Sequence, residues 1–242
     1  MIALAAIVCF ANWVEALAGF GSTLFALVLG AYFFPLEQLV PTLVPLNLLL
    51  SAYIVFRHPS GVDWKILGRQ ILPWAGAGTM IGVLVFGKIP QKELKLVFGA
   101  VVAGLALFEL WRFRTEAKAT PLSGFAGAGW LLGGGLMQGL YASGGPMIVY
   151  FSSRSFTDKY RFRSTLSMLW LILNLAVFTG LALKGELTSE TLRLSAWMLA
   201  PVGLGIALGE WSHSRVPERG FRKLTYGLLF VAGISLLVRS GS

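Results

Sequence analysis

The chain has 242 residues, of which 56% are hydrophobic and 13% are charged, and its mean hydropathy is +0.73. A water-soluble domain of this length does not need so much apolar surface, so the composition excludes an ordinary soluble protein and predicts an integral membrane protein. The formal net charge is +9. Basic loops that set membrane orientation and contact lipid headgroups explain this charge better than nucleic acid, because no loop could hold a nucleic-acid-binding module.

Chemistry-bearing residues are sparse. Cys9 is the single cysteine, and the two histidines, His58 and His213, form no metal-ligand pattern with it. The sequence has no nucleophile–base pair, phosphate loop or dinucleotide motif. We therefore expect no catalytic residues, no cofactor and no metal. A signal peptide is the alternative for residues 1–14, but the lack of a basic start favours a retained segment.

Two apolar segments are too long for one membrane crossing. Residues 121–153 contain no charge in 33 positions, and residues 1–36 contain only Glu15. As a straight helix, the longer uncharged run would measure about 50 Å, against a hydrocarbon core of about 30 Å. Both segments should break at their glycines, near residues 19–23 and 143–146. Each segment is then either a broken single span or a hairpin.

In chain order, further helices are predicted over residues 39–56, 71–87 and 94–110. A polar stretch then separates the halves, and the second half repeats the plan with helices over residues 164–183, 194–209 and 224–238. The predicted organisation is a first transmembrane repeat over residues 1–114, a linker over residues 115–120 and a second transmembrane repeat over residues 121–242.

The repeat is predicted from residue positions. At an offset of 127, one set of residues in the first half falls on like residues in the second: Asn47 on Asn174, Gly76, Gly78 and Gly82 on Gly203, Gly205 and Gly209, and Lys88 and Pro90 on Arg215 and Pro217. The glycine breaks align at an offset of 124. Chance matches in a glycine-rich chain do not easily produce all of these in one register.

The distribution of basic residues favours hairpins at the two breaks. If each broken segment crosses once, the 20 Lys and Arg residues divide nine against eleven between the two sides; if each reverses, they divide fourteen against six. The second division is the asymmetry that the positive-inside rule expects. We therefore predict an all-α polytopic membrane protein with two inverted repeats and both termini outside. Each repeat has a broken or re-entrant helical hairpin plus three transmembrane helices.

The hairpin tips are the candidate binding site. A helix that begins at a tip has unpartnered backbone N–H groups and the positive end of its dipole, which together suit an anion. The predicted substrate-binding residues are those of the two tips and the two repeat-related asparagines: Gly19, Phe20, Gly21, Ser22, Thr23, Asn47, Ser143, Gly144, Gly145, Pro146, Met147 and Asn174. The alternative is that the glycines only allow close helix packing and that the asparagines only bond between helices.

Polar residues also precede each tip. Glu15 and Asn12 precede the first, and Gln138 and Tyr141 precede the second. An ionisable residue at membrane depth is a functional candidate by default, so these four residues are a candidate proton site or pathway. Alternatively, Glu15 bonds an arginine or the backbone, or lies near the membrane surface.

The Gly-Phe-Gly-Ser and Ser-Gly-Gly-Pro breaks, each followed by a span with a polar residue, together with the two-fold repeat, resemble the TauE/SafE family of sulfite exporters. The resemblance covers nearly the whole chain. It implies transport of sulfite, an organosulfonate or another small sulfur- or carbon-containing anion across a bacterial or archaeal cytoplasmic (inner) membrane.

We accordingly expect a secondary transporter that works by alternating access, with proton coupling left open. The alternatives are an anion channel and a membrane scaffold subunit without carrier activity. The expected partners are a small anionic substrate and membrane lipid, without nucleic acid, and a homo-oligomer is left open.

Overall fold

The computed structural model describes residues 2–18, 21–57, 61–115, 124–152, 154–156, 158–213 and 218–241. Within these ranges the regular secondary structure is helical. The predicted all-α membrane protein is thus confirmed, while the inversion of one half against the other stays a prediction. Except for Thr115, at the end of a helix, the predicted linker lies outside the described residues.

The helices follow the order predicted for the two halves. They are α1 (Ile2–Ala18), α2 (Ser22–Gly30), α3 (Leu36–Arg57), α4 (Trp64–Ile66), a π-helical segment (Leu67–Ile71), α5 (Leu72–Val85), α6 (Gln91–Thr115), α7 (Gly124–Tyr141), α8 (Gly145–Ser152), α9 (Lys159–Leu183), α10 (Ser189–His213) and α11 (Glu218–Gly241). The π-helical segment ends two residues before Pro73, whose missing N–H cannot close an α-helical bond.

Helix length separates spanning candidates from short arms. Three helical stretches in the described part of the chain are long and apolar enough to cross a membrane: Lys92–Arg112, Tyr160–Leu183 and Ser189–Gly209. Shorter apolar stretches are Ile2–Glu15 and Tyr226–Val238. By contrast, α2 has nine residues and α8 has eight. At 1.5 Å per residue they are only about 12–14 Å long, so neither can cross alone.

The chain forms two compact units. The first consists of Met1–Leu39, Gly87–Lys118 and Ala196–Ser242, and the second of Val40–Phe86 and Ala119–Ser195. Each unit therefore combines segments from both sequence halves. The boundaries predicted at residues 114 and 121 describe the repeat in the sequence and stay a prediction.

In the second unit, α5 lies against α7 with almost no side chain between the two backbones. A Cβ atom added at Gly78 would overlap the carbonyl oxygen of Leu132 and lie 2.8 Å from the amide nitrogen of Leu136. Small residues at such contacts let helices approach closely, which is how helices commonly associate in membranes. Glycine at this position is therefore required by packing.

The first unit contains the same contact between α10 and α1. A Cβ atom added at Gly205 would overlap the carbonyl oxygen of Cys9 and lie 3.1 Å from the amide nitrogen of Trp13. The two glycines are 127 positions apart, and the contacted residues of α1 precede those of α7 by 123. This correspondence supports the repeat. It aligns the sequence of α1 with that of α7 at an offset of 123, one less than the offset of 124 suggested by the tips.

Alanine substitutions at these two glycines should destabilise the protein, whereas substitutions two positions earlier should not. We expect Gly78→Ala and Gly205→Ala to cost about 1–3 kcal/mol through overpacking, seen as a lower thermal midpoint in detergent. Gly76→Ala and Gly203→Ala are matched controls, because the added Cβ would meet only Leu72 Cδ1 at 3.9 Å or nothing within 4 Å. Equal shifts at all four positions would contradict the packing role.

Candidate functional site

The second break is a tight turn between two helices. Helix α7 ends at Tyr141 and α8 begins at Gly145. Ala142 in the turn has φ of +49°, in the left-handed region that residues with a Cβ rarely adopt. Its N–H donates to the carbonyl oxygen of Gln138 at 2.8 Å, which closes the last turn of α7. The left-handed residue then directs the chain out of the helix.

The arms on either side of this turn lie side by side. Near the turn, a Cβ atom at Gly134 would lie 2.7 Å from Cγ1 of Ile148. Farther away, the rings of Trp130 and Tyr150 have centroids 4.5 Å apart. Contacting residues thus move away from the turn together along both arms. The chain therefore reverses direction at this break, and α7 and α8 form a hairpin.

A chain of buried amides holds the turn. The N–H of Gly144 donates to Oε1 of Gln138 at 3.0 Å, and Nε2 of Gln138 donates to Oδ1 of Asn174 at 2.8 Å. The two side chains are only 2% and 4% exposed. The sequence predicted Gln138 for a proton pathway and Asn174 for substrate binding. The structure joins them in one network that fixes the start of the returning arm.

The donor at one end of this network determines every orientation in it. A backbone N–H can only donate, so Gln138 must present its oxygen to Gly144 and its Nε2 to Asn174. Asn174 must then present its oxygen to Gln138, and its Nδ2 group points away from this bond as a remaining donor. The network therefore ends at Asn174 on α9, whose Nδ2 group takes no part in it.

The first break is also a reversal. Helix α1 ends at Ala18, and α2 begins at Ser22 after Gly21, whose φ of +104° is readily adopted only by glycine. The rings of Phe10 and Phe25, one on each arm, meet edge to face with centroids 6.3 Å apart. Helices α1 and α2 thus form a second hairpin, within the first unit.

A carboxylate replaces the amide in this hairpin. Oε2 of Glu15 accepts a hydrogen bond from the N–H of Ser22 at 2.7 Å. Glu15 precedes Gln138 by 123 positions, the same separation that relates the equivalent packing contacts of α1 and α7. Both side chains accept from the backbone where a returning arm begins, but one is acidic and the other is neutral. The Glu15 carboxylate partly neutralises the positive end of the α2 dipole. The Gln138 amide leaves the positive end of the α8 dipole without a neutralising charge.

The first turn of α8 carries further donors. Ile148 is the first residue in this arm whose N–H closes a helical bond, to Gly144 oxygen at 3.3 Å. The N–H groups of Gly145 and Met147 precede it, and Pro146 has none. A Cβ atom at Gly145 would meet nothing within 4 Å, whereas one at Gly144 would lie 2.9 Å from Gln138 Cβ. Packing therefore explains Gly144, while space is open beside Gly145.

The remaining predicted site residues have varied surroundings. Ser22 and Ser143 are buried, and Gly21, Thr23, Asn47, Pro146 and Met147 are half-buried. Asn12 is buried, and its Nδ2 donates to the Val8 carbonyl of its own helix at 2.9 Å, while Tyr141 is fully buried at the end of α7. Gly19 and Phe20 lie outside the described residues. A role of any of these residues in substrate binding stays a prediction.

One feature was not predicted as part of a site. Neither Arg154 nor Ser152 was among the predicted site residues, yet both have buried polar atoms at the end of α8. An arginine that follows directly on an uncharged arm was the available signal.

No cluster of three or more His, Cys, Asp or Glu side chains that could hold a metal occurs within the described part of the chain.

Comparison with known proteins agrees with this architecture. The sulfite exporter TauE/SafE family matches residues 4–236. The probable inner membrane transporter protein TsaS of Comamonas testosteroni is 23% identical over 178 residues, which are 72% of this chain and 72% of that protein. No solved structure matches. With its apolar helices, the protein is an integral inner-membrane transporter, and the chain belongs to the sulfite exporter TauE/SafE family.

Proposed function

We propose that the protein is a secondary carrier that moves a small sulfur-containing oxyanion, such as sulfite or an organosulfonate, by alternating access. The family and the inner-membrane relative support this class of substrate and a transport role without catalysis. The observation that carries the proposal is the start of α8, where the N–H groups of Gly145 and Met147 precede the first helical bond and a Cβ atom at Gly145 would meet nothing within 4 Å.

The donors at this hairpin suit an oxyanion. The two N–H groups, the Ser143 hydroxyl and Nδ2 of Asn174 are neutral donors, and the α8 dipole adds positive potential at the same end. The three oxygens of a sulfite or sulfonate group can accept hydrogen bonds from several of these donors together. Because no permanent cation belongs to this set, the anion is bound without an ion pair and can be released, as a carrier requires.

The first hairpin has a different proposed role, which is to couple a proton to transport. The Glu15 carboxylate already occupies the N–H of Ser22. Protonation of Glu15 would remove its negative charge from the start of α2. Movement of a proton could in this way be coupled to movement of the anion in one transport cycle. Asn12, Gln138 and Tyr141 stay proposed members of the proton path, and Gly19–Thr23 and Asn47 stay proposed members of the substrate path.

Loss of the Asn174 donor should weaken transport. In proteoliposomes we expect wild-type protein to show saturable sulfite counterflow. Asn174→Ala should lower sulfite affinity about tenfold or more, because a hydrogen bond to a charged group contributes about 1.5–3 kcal/mol. Ser195→Ala is the matched control. Its hydroxyl is also buried in the second unit, but it bonds the carbonyl oxygens of Thr42 and Thr191, at 2.7 and 2.9 Å.

The same assay separates a carrier from its alternatives. A channel would give flux that is linear in concentration, without counterflow. A scaffold subunit would give no flux and no counterflow. Unchanged sulfite affinity in Asn174→Ala, with Ser195→Ala also unchanged, would remove the second hairpin from the proposed site while leaving a carrier in place.

Glu15→Gln should separate binding from proton coupling. Glutamine can still accept the Ser22 N–H but cannot carry a proton, so we expect counterflow to persist while uphill accumulation driven by a pH gradient is lost. Glu109→Gln is the control, because Glu109 is an acidic residue that pairs with Arg112 at 2.8 Å. Gradient-driven accumulation by Glu15→Gln at the wild-type level would exclude Glu15 as the proton site.

A further inference from the structure

The end of α8 holds an arginine on an aromatic face. Cζ of Arg154 lies 3.8 Å from the centroid of the Tyr150 ring, and that ring lies 4.5 Å from the ring of Trp130. Nη1 of Arg154 also donates to the carbonyl oxygen of Tyr150 at 3.2 Å. The guanidinium is thus fixed by one stacked face and by one of its nitrogens.

Two side-chain donors at this end of α8 are buried and unused. Nε of Arg154 and Oγ of Ser152 are both enclosed, and neither has a hydrogen-bond partner in the part of the chain that the structure describes. Ser152 is fully buried. A buried donor without a partner is costly, and in native proteins it commonly marks the place of an unseen ion or water.

One edge of the Arg154 guanidinium keeps two N–H donors that suit an oxyanion. With Nη1 on the carbonyl, Nε and Nη2 remain as two parallel N–H donors, which match two oxygens of a carboxylate, sulfonate or similar oxyanion. Arg154 forms no ion pair with an acidic side chain of the described chain, whereas Arg161 lies 3.6 Å from Asp63. Within the described part of the chain, no acidic side chain therefore neutralises Arg154.

We propose that Arg154, with the hydroxyl of Ser152, forms a second oxyanion subsite at the end of α8 away from the hairpin turn. The inference rests on the proposed function, because the ligand is the transported anion. Helix α8 has eight residues, so the subsite lies roughly 10 Å from the turn. An anion that moves along α8 is held first by a cation and then by the neutral donors at the turn.

The alternative is that Arg154 only caps the C-terminus of α8. A cap requires a positive charge near the last carbonyls, which lysine also supplies. An oxyanion subsite requires the planar pair of donors, which lysine lacks. Arg154→Lys therefore keeps the cap and removes the subsite, and Ser152→Ala removes one hydroxyl without changing the charge.

The experiment measures sulfite and methanesulfonate binding to purified full-length protein by calorimetry, with sodium chloride at equal ionic strength as the reference, and sulfite flux in proteoliposomes. We expect Arg154→Lys to weaken binding of both anions and to raise the KM for sulfite about tenfold, with little change in maximal rate. Ser152→Ala should weaken binding about threefold. The thermal midpoint without anion should not fall in either variant, because the unliganded protein uses neither donor.

The outcomes distinguish this subsite from the proposed function. Wild-type affinity in both variants, while Asn174→Ala binds weakly, would overturn the subsite and leave the carrier intact. Absence of anion binding and flux in the wild type would overturn the proposed function and the subsite together. If Arg154→Lys does not fold, Ser152→Ala decides: an unchanged affinity and KM contradict the subsite, and a raised KM supports it.

Discussion

The structure depends on one hydrogen bond that occurs in both hairpins, from the backbone where a returning arm begins to a side chain of the preceding helix. Glu15 accepts from Ser22 at 2.7 Å, and Gln138 accepts from Gly144 at 3.0 Å. A helix that ends within a membrane exposes backbone groups that lipid cannot satisfy. These two side chains supply partners where the chain reverses, so that an apolar segment too long to cross once can fold back on itself.

The equivalent side chains differ in charge, and this difference separates the proposed roles of the hairpins. A carboxylate at a helix N-terminus stabilises it by about 0.3–1 kcal/mol and reduces its attraction for another anion. The amide of Gln138 satisfies the backbone without adding charge, and Asn174 braces it at 2.8 Å. One scaffold therefore provides a start of α8 that suits an anion and a start of α2 that already holds one.

The sequence predicted the helical class, the two breaks and the equivalence of Gly78 and Gly205, because apolar run length and small-residue spacing reflect constraints that act along the chain. It did not predict that Gln138 bonds Asn174 or that Arg154 stacks on Tyr150. Those pairings depend on which helices pack together, and each compact unit combines segments from both sequence halves. Spacing within one helix carries no information about a partner on another.

We propose that the start of α8 binds an anion because the Gln138 side chain that holds it is neutral. Calorimetry of sulfite binding to Gln138→Glu tests this most directly. The new carboxylate can still accept the Gly144 N–H, and Asn174 can rotate its amide to donate to it, so the hairpin should be retained. We expect the added charge, together with the loss of the Asn174 Nδ2 donor to the new carboxylate, to abolish measurable sulfite binding. Binding at the wild-type affinity, in a variant with the wild-type thermal midpoint, would contradict it.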